Sequence, residues 1–193
     1  ATSLHALRKA RLQAGESVAV FGVGGLGLSA VQLARALGAL DVYAVDLDPG
    51  RLELARSFGA VPIPAAGADP VARLRELTGG RGVDVALELA GLPLTTRQAV
   101  RSLAVFGRAA LAGITPDAVE FLPYTELIGR EAEIVGVSDH LLSEMPLLLE
   151  LARRGALDLR RVVTRTIPLR ETDINAALDE LDRFAAQGRT VVI

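Results

Sequence analysis

The residues of this 193-residue chain with the clearest chemical use are glycines. Gly22, Gly24, Gly25 and Gly27 stand directly after the short apolar run Ser17–Phe21 and before the helically spaced apolar residues Ala30, Val31, Leu33, Ala34 and Leu37. A glycine turn leading from a buried strand into a helix gathers unpaired backbone N–H groups at the positive end of the helix dipole, and so can hold a pyrophosphate without a basic side chain. In this spacing Gly22 permits the tight turn, Gly24 removes a Cβ that would keep phosphates at a distance, and Gly27 lets helix and strand pack closely. Asp46 is the second part of the pattern. It ends the apolar run 42–45 about 20 residues beyond the turn, where a carboxylate accepts hydrogen bonds from ribose hydroxyls. A 2′-phosphate there would face a fixed negative charge in a partly desolvated site, so the acid selects NAD(H) over NADP(H). Arg51 stands close by in sequence, to hydrogen-bond the ribose or to pair with an acid.

Other chemistry-bearing residues have no partners evident in the sequence. Glu88 ends an apolar run and is read as hydrogen-bonded within the sheet layer, not as a general base. His5 and His140 are far apart and are read as structural or exposed, not as metal ligands. No Ser-His-Asp set, paired catalytic carboxylates or Walker-type loop emerges.

The elements that must position the turn alternate regularly. Buried strands are predicted at 17–21, 42–45, 61–63, 83–89, 108–112 and 133–137. Between them fall a helix stopped by Gly38, a helix opened by Asp48-Pro49 and ended by Gly59, a helix opened by Asp69-Pro70, and a helix capped by Thr95 or Thr96 that runs to about Leu103. A short helix is placed around 124–128. This alternation predicts an α/β Rossmann fold, a doubly wound parallel sheet of six strands with helices on both faces. The remainder, 139–193, differs: a helix at 143–154, a strand at 161–169, a helix at 173–186 and a strand at 190–193 lie outside the repeat.

Composition narrows the function classes. At 50% hydrophobic residues the chain can bury one substantial core, so one domain spanning 1–193 is expected. The net charge of -2 comes without a basic block or a polybasic amphipathic helix, which argues against nucleic-acid and membrane partners. The uncharged stretch 17–34 is interrupted by glycines and a glutamine and is read as core. A chain without cysteine fits a reducing compartment, and a cytoplasmic location is expected. The charged residues His5, Arg8, Lys9 and Arg11 do not suit a signal peptide; the chain looks cut from something longer.

The ordered set Thr2-Ser3-Leu4-His5-Ala6-Leu7, Gly22 to Gly27, Ala30-Val31-Gln32-Leu33-Ala34, Gly38-Ala39, Ala44-Val45-Asp46 and Gly188-Arg189 resembles the medium-chain, zinc-type alcohol dehydrogenases over essentially the whole length. The resemblance implies the C-terminal, coenzyme-binding portion of such an enzyme, exchanging hydride between NAD(H) and an alcohol or carbonyl substrate. It places Thr2 near the nicotinamide carboxamide, Leu26 on the nicotinamide ring, Arg51 on the adenosine ribose and Arg189 on the pyrophosphate. Leu89, Ala90, Ala112, Gly113 and Ile114 would line the cleft from the ends of later strands. It further implies a zinc held outside this chain, by a missing N-terminal catalytic domain on which 139–193 would pack, and a homodimer or homotetramer joined at the 133–137 strand. Two other functions fit the same glycine turn: a zinc-independent reductase of the same superfamily, and a non-catalytic NAD-sensing regulatory module.

Overall fold

The computed structural model describes residues 1–193. Helix α1 (Thr2–Lys9) leads into strand β1 (Ser17–Phe21), helix α2 (Gly25–Ala36), β2 (Asp41–Asp46), α3 (Pro49–Ser57), β3 (Val61–Pro64), α4 (Pro70–Leu77), β4 (Val83–Glu88), α5 (Pro93–Arg101), β5 (Leu103–Leu111) and β6 (Glu133–Gly136). These six strands form one sheet in the order β3-β2-β1-β4-β5-β6, and each neighbouring pair is parallel. Going from β1 to β2 the chain turns one way, and going from β3 to β4 it crosses to the other side of β1. The carboxyl ends of β1 and β4 therefore border the crevice that a doubly wound sheet offers to a ligand.

The local reasons for these elements are legible residue by residue. Strand β1 is buried at all five positions, as a central parallel strand covered on both faces must be. Asp48 and Asp69 cap α3 and α4, accepting from the N–H groups of Arg51 and Val71, each with proline in the first turn. Beyond the ends of α2 and α3, Gly38 and Gly59 adopt φ of +94° and +90°, the left-handed geometry that stops a helix. Two apolar clusters result: one holds α1 and α2 against the sheet, centred on Leu4, Leu7, Val18, Leu28 and Leu33, and the other lies on the opposite face around Phe21, Ile63, Leu74 and Leu103.

Several boundaries differ from the sequence expectations, each for a physical reason. Helix α5 starts at Pro93 with Leu92 as its N-cap; the Thr96 hydroxyl donates back to the Leu92 carbonyl and the Thr95 hydroxyl to the Glu88 carboxylate, so neither caps the helix. Strand β5 begins at Leu103, but its pairing with β4 shifts between Val83 and Val85 and becomes regular only from Arg108. Phe106 in that bulge has φ of +62°. The short helix near 124–128 is a π-helical turn, Pro123–Leu127.

Beyond β6 the chain forms a 3-10 turn (Leu142–Glu144), α6 (Met145–Arg153), the single turn α7 (Leu159–Val162), β7 (Val163–Ile167), α8 (Glu171–Asp182) and β8 (Arg189–Val192). The predicted strand 161–169 is thus shorter, because Asp158 caps a helical turn by accepting from the Arg161 N–H. Strands β7 and β8 pair in parallel as a separate two-stranded sheet. No helix of the chain is long and apolar enough to cross a membrane.

Candidate functional site

The glycine turn begins where β1 ends. Gly22 turns with φ of +87°, and a side chain there would meet Ala90 at 2.9 Å. Gly27, in the first turn of α2, lies so close to the Gly22 carbonyl that a Cβ would fall inside van der Waals contact. Gly24, the N-cap of α2, faces open space. The first intrahelical donor of α2 is the Leu28 N–H, bonded to the Gly24 carbonyl at 2.9 Å, and this leaves the N–H groups of Gly25, Leu26 and Gly27 for whatever sits above the helix end.

Asp46 closes the other side. Its Oδ2 accepts from the Val23 N–H at 2.8 Å and its Oδ1 from the Asp48 N–H at 3.0 Å, so the carboxylate is held by the glycine turn itself and by the start of α3. A guanidinium nitrogen of Arg51 approaches Oδ1 at 3.5 Å. Pairing of Arg51 with an acid therefore occurs, but the rest of its guanidinium is not turned to the open cleft. It donates to the carbonyls of Ala186 and Phe184 in the C-terminal segment.

These groups share one cleft of about 590 Å³. Of the residues predicted from sequence, Gly22, Gly24, Gly25, Asp46, Arg51, Leu89 and Ala90 line it. Arg189 lies beside it: a Cβ on Gly25 would be 2.5 Å from the Arg189 Nε, so the arginine side chain rests across the turn. Gly113 packs against Gly91 and Glu88 beside that wall, and Ile114 is 94% exposed. Thr2 and Leu26 lie outside the cleft lining, near one another through the Ser3 hydroxyl, which donates to the Leu26 carbonyl at 2.8 Å.

The remaining wall escaped the sequence reading. Leu47, Ala65, Leu92, Leu94 and Gln98 line one end, and Leu181, Phe184, Ala186 and Gly188 arrive from the far C-terminus. Leu47, Leu92 and Leu94 are exposed apolar residues just beyond β2 and at the start of α5, and in sequence the only sign of them is leucine directly after a strand end or beside a helix-opening proline. Nothing in the spacing of Phe184 or Ala186 points to residues so distant in the chain.

Glu88 is an internal acceptor. Only 1% exposed, it takes the N–H groups of Ala90 and Gly91 and the Thr95 hydroxyl on one oxygen, at 3.0, 2.9 and 2.8 Å, and so shapes the turn after β4. His5 hydrogen-bonds Glu144 at 3.1 Å, and His140 pairs with Asp139 at 2.6 Å. Burial would raise the Glu144 carboxyl, but the Leu141 N–H, His5 and Arg8 outweigh it and hold the group below the usual glutamate range. No three His, Cys, Asp or Glu side chains come together as metal ligands. The arrangement thus brings the free N–H groups of a helix end and a fixed carboxylate to one cleft.

The family model for zinc-binding dehydrogenases matches residues 25–154. The chain is 36% identical over 170 residues to the (R,R)-butanediol dehydrogenase of Bacillus subtilis strain 168, covering 88% of this chain and 48% of that protein. It is 31% identical over 206 residues to an NAD-dependent alcohol dehydrogenase of Sulfurisphaera tokodaii, covering all of this chain and 54% of that one. The crystal structure of 2R,3R-butanediol dehydrogenase from Bacillus subtilis superimposes with a TM-score of 0.89 at 33% identity, over all of this chain and 55% of that one. The chain spans about half the length of the curated relatives it matches. With the glycine turn, the acid and the six-stranded doubly wound sheet all in the same order, the chain belongs to the zinc-binding dehydrogenase family, as its resemblance to the medium-chain, zinc-type alcohol dehydrogenases implies.

Proposed function

We propose that the cleft holds NAD(H), and that the protein containing this chain is an NAD-dependent, zinc-type alcohol dehydrogenase acting on a small alcohol or carbonyl compound. The observation that carries this reading is the meeting of the glycine turn and Asp46 in one cleft, with Arg189 resting on Gly25. The printed names of the relatives support it, since they include an NAD-dependent alcohol dehydrogenase and a butanediol dehydrogenase.

In this reading the N–H groups of Gly25, Leu26 and Gly27 face the pyrophosphate, Gly22 and Gly24 give it room, and Arg189 adds a full positive charge. Asp46 accepts from ribose hydroxyls with the lone pairs that Val23 and Asp48 leave free. Leu89 and Ala90 wall the cleft toward the nicotinamide, and by the family resemblance Ala112, Gly113 and Ile114, with Leu26 under the ring and Thr2 at its carboxamide, would continue the site beyond the cleft that this chain lines by itself. When bound, the coenzyme supplies the hydride acceptor and donor. The donor set of this chain does not fit a zinc ion, because both histidines are engaged with carboxylates and no ligand cluster forms. The metal belongs, in this reading, to a catalytic domain outside these residues, with 139–193 packed on it. Subunits would pair at the β6 edge, where Glu133 and Ile134 are exposed, giving a homodimer or homotetramer. The absence of cysteine accords with a cytoplasmic protein.

Asp46→Asn tests the reading. The amide keeps an acceptor toward Val23 but loses the charge and turns its NH2 toward the Asp48 N–H, so NADH binding should weaken by about 1–2 kcal/mol while NADPH binding, relieved of like-charge repulsion, improves. Fluorescence titration of both coenzymes at one ionic strength measures this; equal losses would show that Asp46 supports the turn and does not select the ribose.

A further inference from the structure

Arg51 belongs to α3, yet its strongest ties run to the other end of the chain. Nε donates to the Ala186 carbonyl at 3.0 Å, and one terminal nitrogen donates to the carbonyls of both Ala186 and Phe184. The side chain is 11% exposed, so these bonds form with little competition from water. Phe184, at the head of the gripped segment, has φ of +55°. A bulky residue keeps that left-handed conformation only where its surroundings impose it.

The ties continue along the segment. The Gln187 amide lies against the start of α3, 2.9 Å from where a Cβ on Gly50 would stand. Gly188 is buried, with the Val162 carbonyl and Thr164 leaving no room for a side chain. Arg189 follows immediately and crosses Gly25. Helix α8, which delivers this segment, has no buried residue, and β8 is exposed at three of its four positions. Arg189 is therefore not set by a packed core beneath it. Its backbone is placed by the β7–β8 ladder, where it stands opposite Val163, and the fork of Arg51 ties the segment just before it to the coenzyme cleft.

We infer that Arg51 is a positioning residue: by holding the carbonyls of Phe184 and Ala186 it sets Arg189 over the glycine turn, and it acts on a bound dinucleotide through the pyrophosphate, not through a ribose hydroxyl. This rests on the reading of the cleft as a dinucleotide site. A guanidinium suits the task because its planar fork meets two carbonyls at once, which a lysine ammonium on a flexible stem does not.

The test is made on the intact protein with the variants Arg51→Ala, Arg51→Lys, Arg189→Ala and the double alanine variant, titrated with NADH and, by competition, with adenosine. Each single alanine variant should weaken NADH about tenfold, the scale of one charged hydrogen bond, and the double variant should lose little more than either alone. Arg51→Lys should behave like Arg51→Ala, and adenosine, which carries no phosphate, should bind all variants within about twofold of the parent. Amide hydrogen exchange in residues 183–189 should quicken in Arg51→Ala while β1 and β4 stay protected, which a general loss of folding would not produce. Adenosine weakened as much as NADH, or losses that multiply in the double variant, would put Arg51 on the ribose and overturn the inference, as would unchanged exchange in 183–189. A parent protein that binds no NADH overturns the function proposed for the cleft, and the exchange measurement then still decides whether Arg51 holds the segment.

Discussion

Strand β1 of the six-stranded sheet is buried at every position, whereas four of the five residues of β7 are exposed. The same contrast holds for the helices: α2 buries seven residues, while α6 and α8 bury none and leave Leu149, Leu178 and Leu181 in the open. Of the 52 buried residues of the chain, only Glu144, Leu157, Val162, Ile167 and Gly188 lie beyond Asp139. The first region owns its core. The second has no core of its own; it leans on the first through Leu147, Leu148, Leu151, Leu157 and Val162 and through a few polar ties: Glu144 to His5 and Arg8, the Asp158 N–H to the Gln32 side chain at 2.6 Å, and Arg51 to the 184–186 carbonyls. Such a difference predicts that damage to the first region is global and damage to the second is local.

The sharpest way to break that comparison is Gly27→Ala. The added methyl meets the Gly22 carbonyl, so helix and turn must separate, and the sheet region should lose about 3 kcal/mol in denaturant unfolding. A variant as stable as the parent would show that the turn yields easily and that close packing there is not a requirement.

Glu144→Ala should have a smaller and more confined effect. It leaves the Leu141 N–H and His5 without their acceptor, at about 1–2 kcal/mol, and exchange should quicken in α1 and across 141–153 while β1 and β4 keep their protection. Equal loosening of β1 would mean that the two regions unfold together.

The smallest effect concerns Asp84, at the start of β4 in the first region. Burial would raise its carboxyl, but the Arg81 guanidinium and the N–H and hydroxyl of Ser17 outweigh that and lower it to about 2. A depressed folded value stabilises the fold above the unfolded carboxyl value, near pH 4, and this contribution fades as the pH falls toward 2. With solvent screening allowed for, about 1 kcal/mol is at stake. Asp84→Asn should flatten stability between pH 4 and pH 2 relative to the parent, and an unchanged slope would assign the acid sensitivity to other carboxylates.

The two regions also differ in how far they could be read in advance. Strands and turns of the sheet announce themselves because their causes are local: the uninterrupted run Ser17–Phe21, the Asp48-Pro49 and Asp69-Pro70 caps, and glycine where φ is positive. Where the cause is tertiary the sequence misleads. Thr95 and Thr96 have the right chemistry for a cap, but the Thr95 hydroxyl is drawn to Glu88 at the end of β4 and the helix opens earlier, at Pro93. Residues 103–107 join β5 only through a bulge against β4, and no periodicity marks it. In the cleft, Gly22, Gly24, Gly25 and Asp46 could be picked out by their spacing together with the strand and helix on either side of the turn. The destination of the Arg51 guanidinium was not, since its acceptors are backbone carbonyls of residues whose side chains carry no sign of the role.

The Asp46 carboxylate, bonded to the Val23 and Asp48 N–H groups, is fixed before any ligand arrives. Its rotamer freedom is therefore lost during folding and not during recognition, so a ribose meets a preorganised acceptor and the entropy of ordering that side chain does not oppose binding. The same two bonds couple the acid to the shape of the turn. Any ligand that draws Asp46 aside must also displace the Val23 amide, which makes the cleft stiff toward ligands whose sugar lacks the matching hydroxyls.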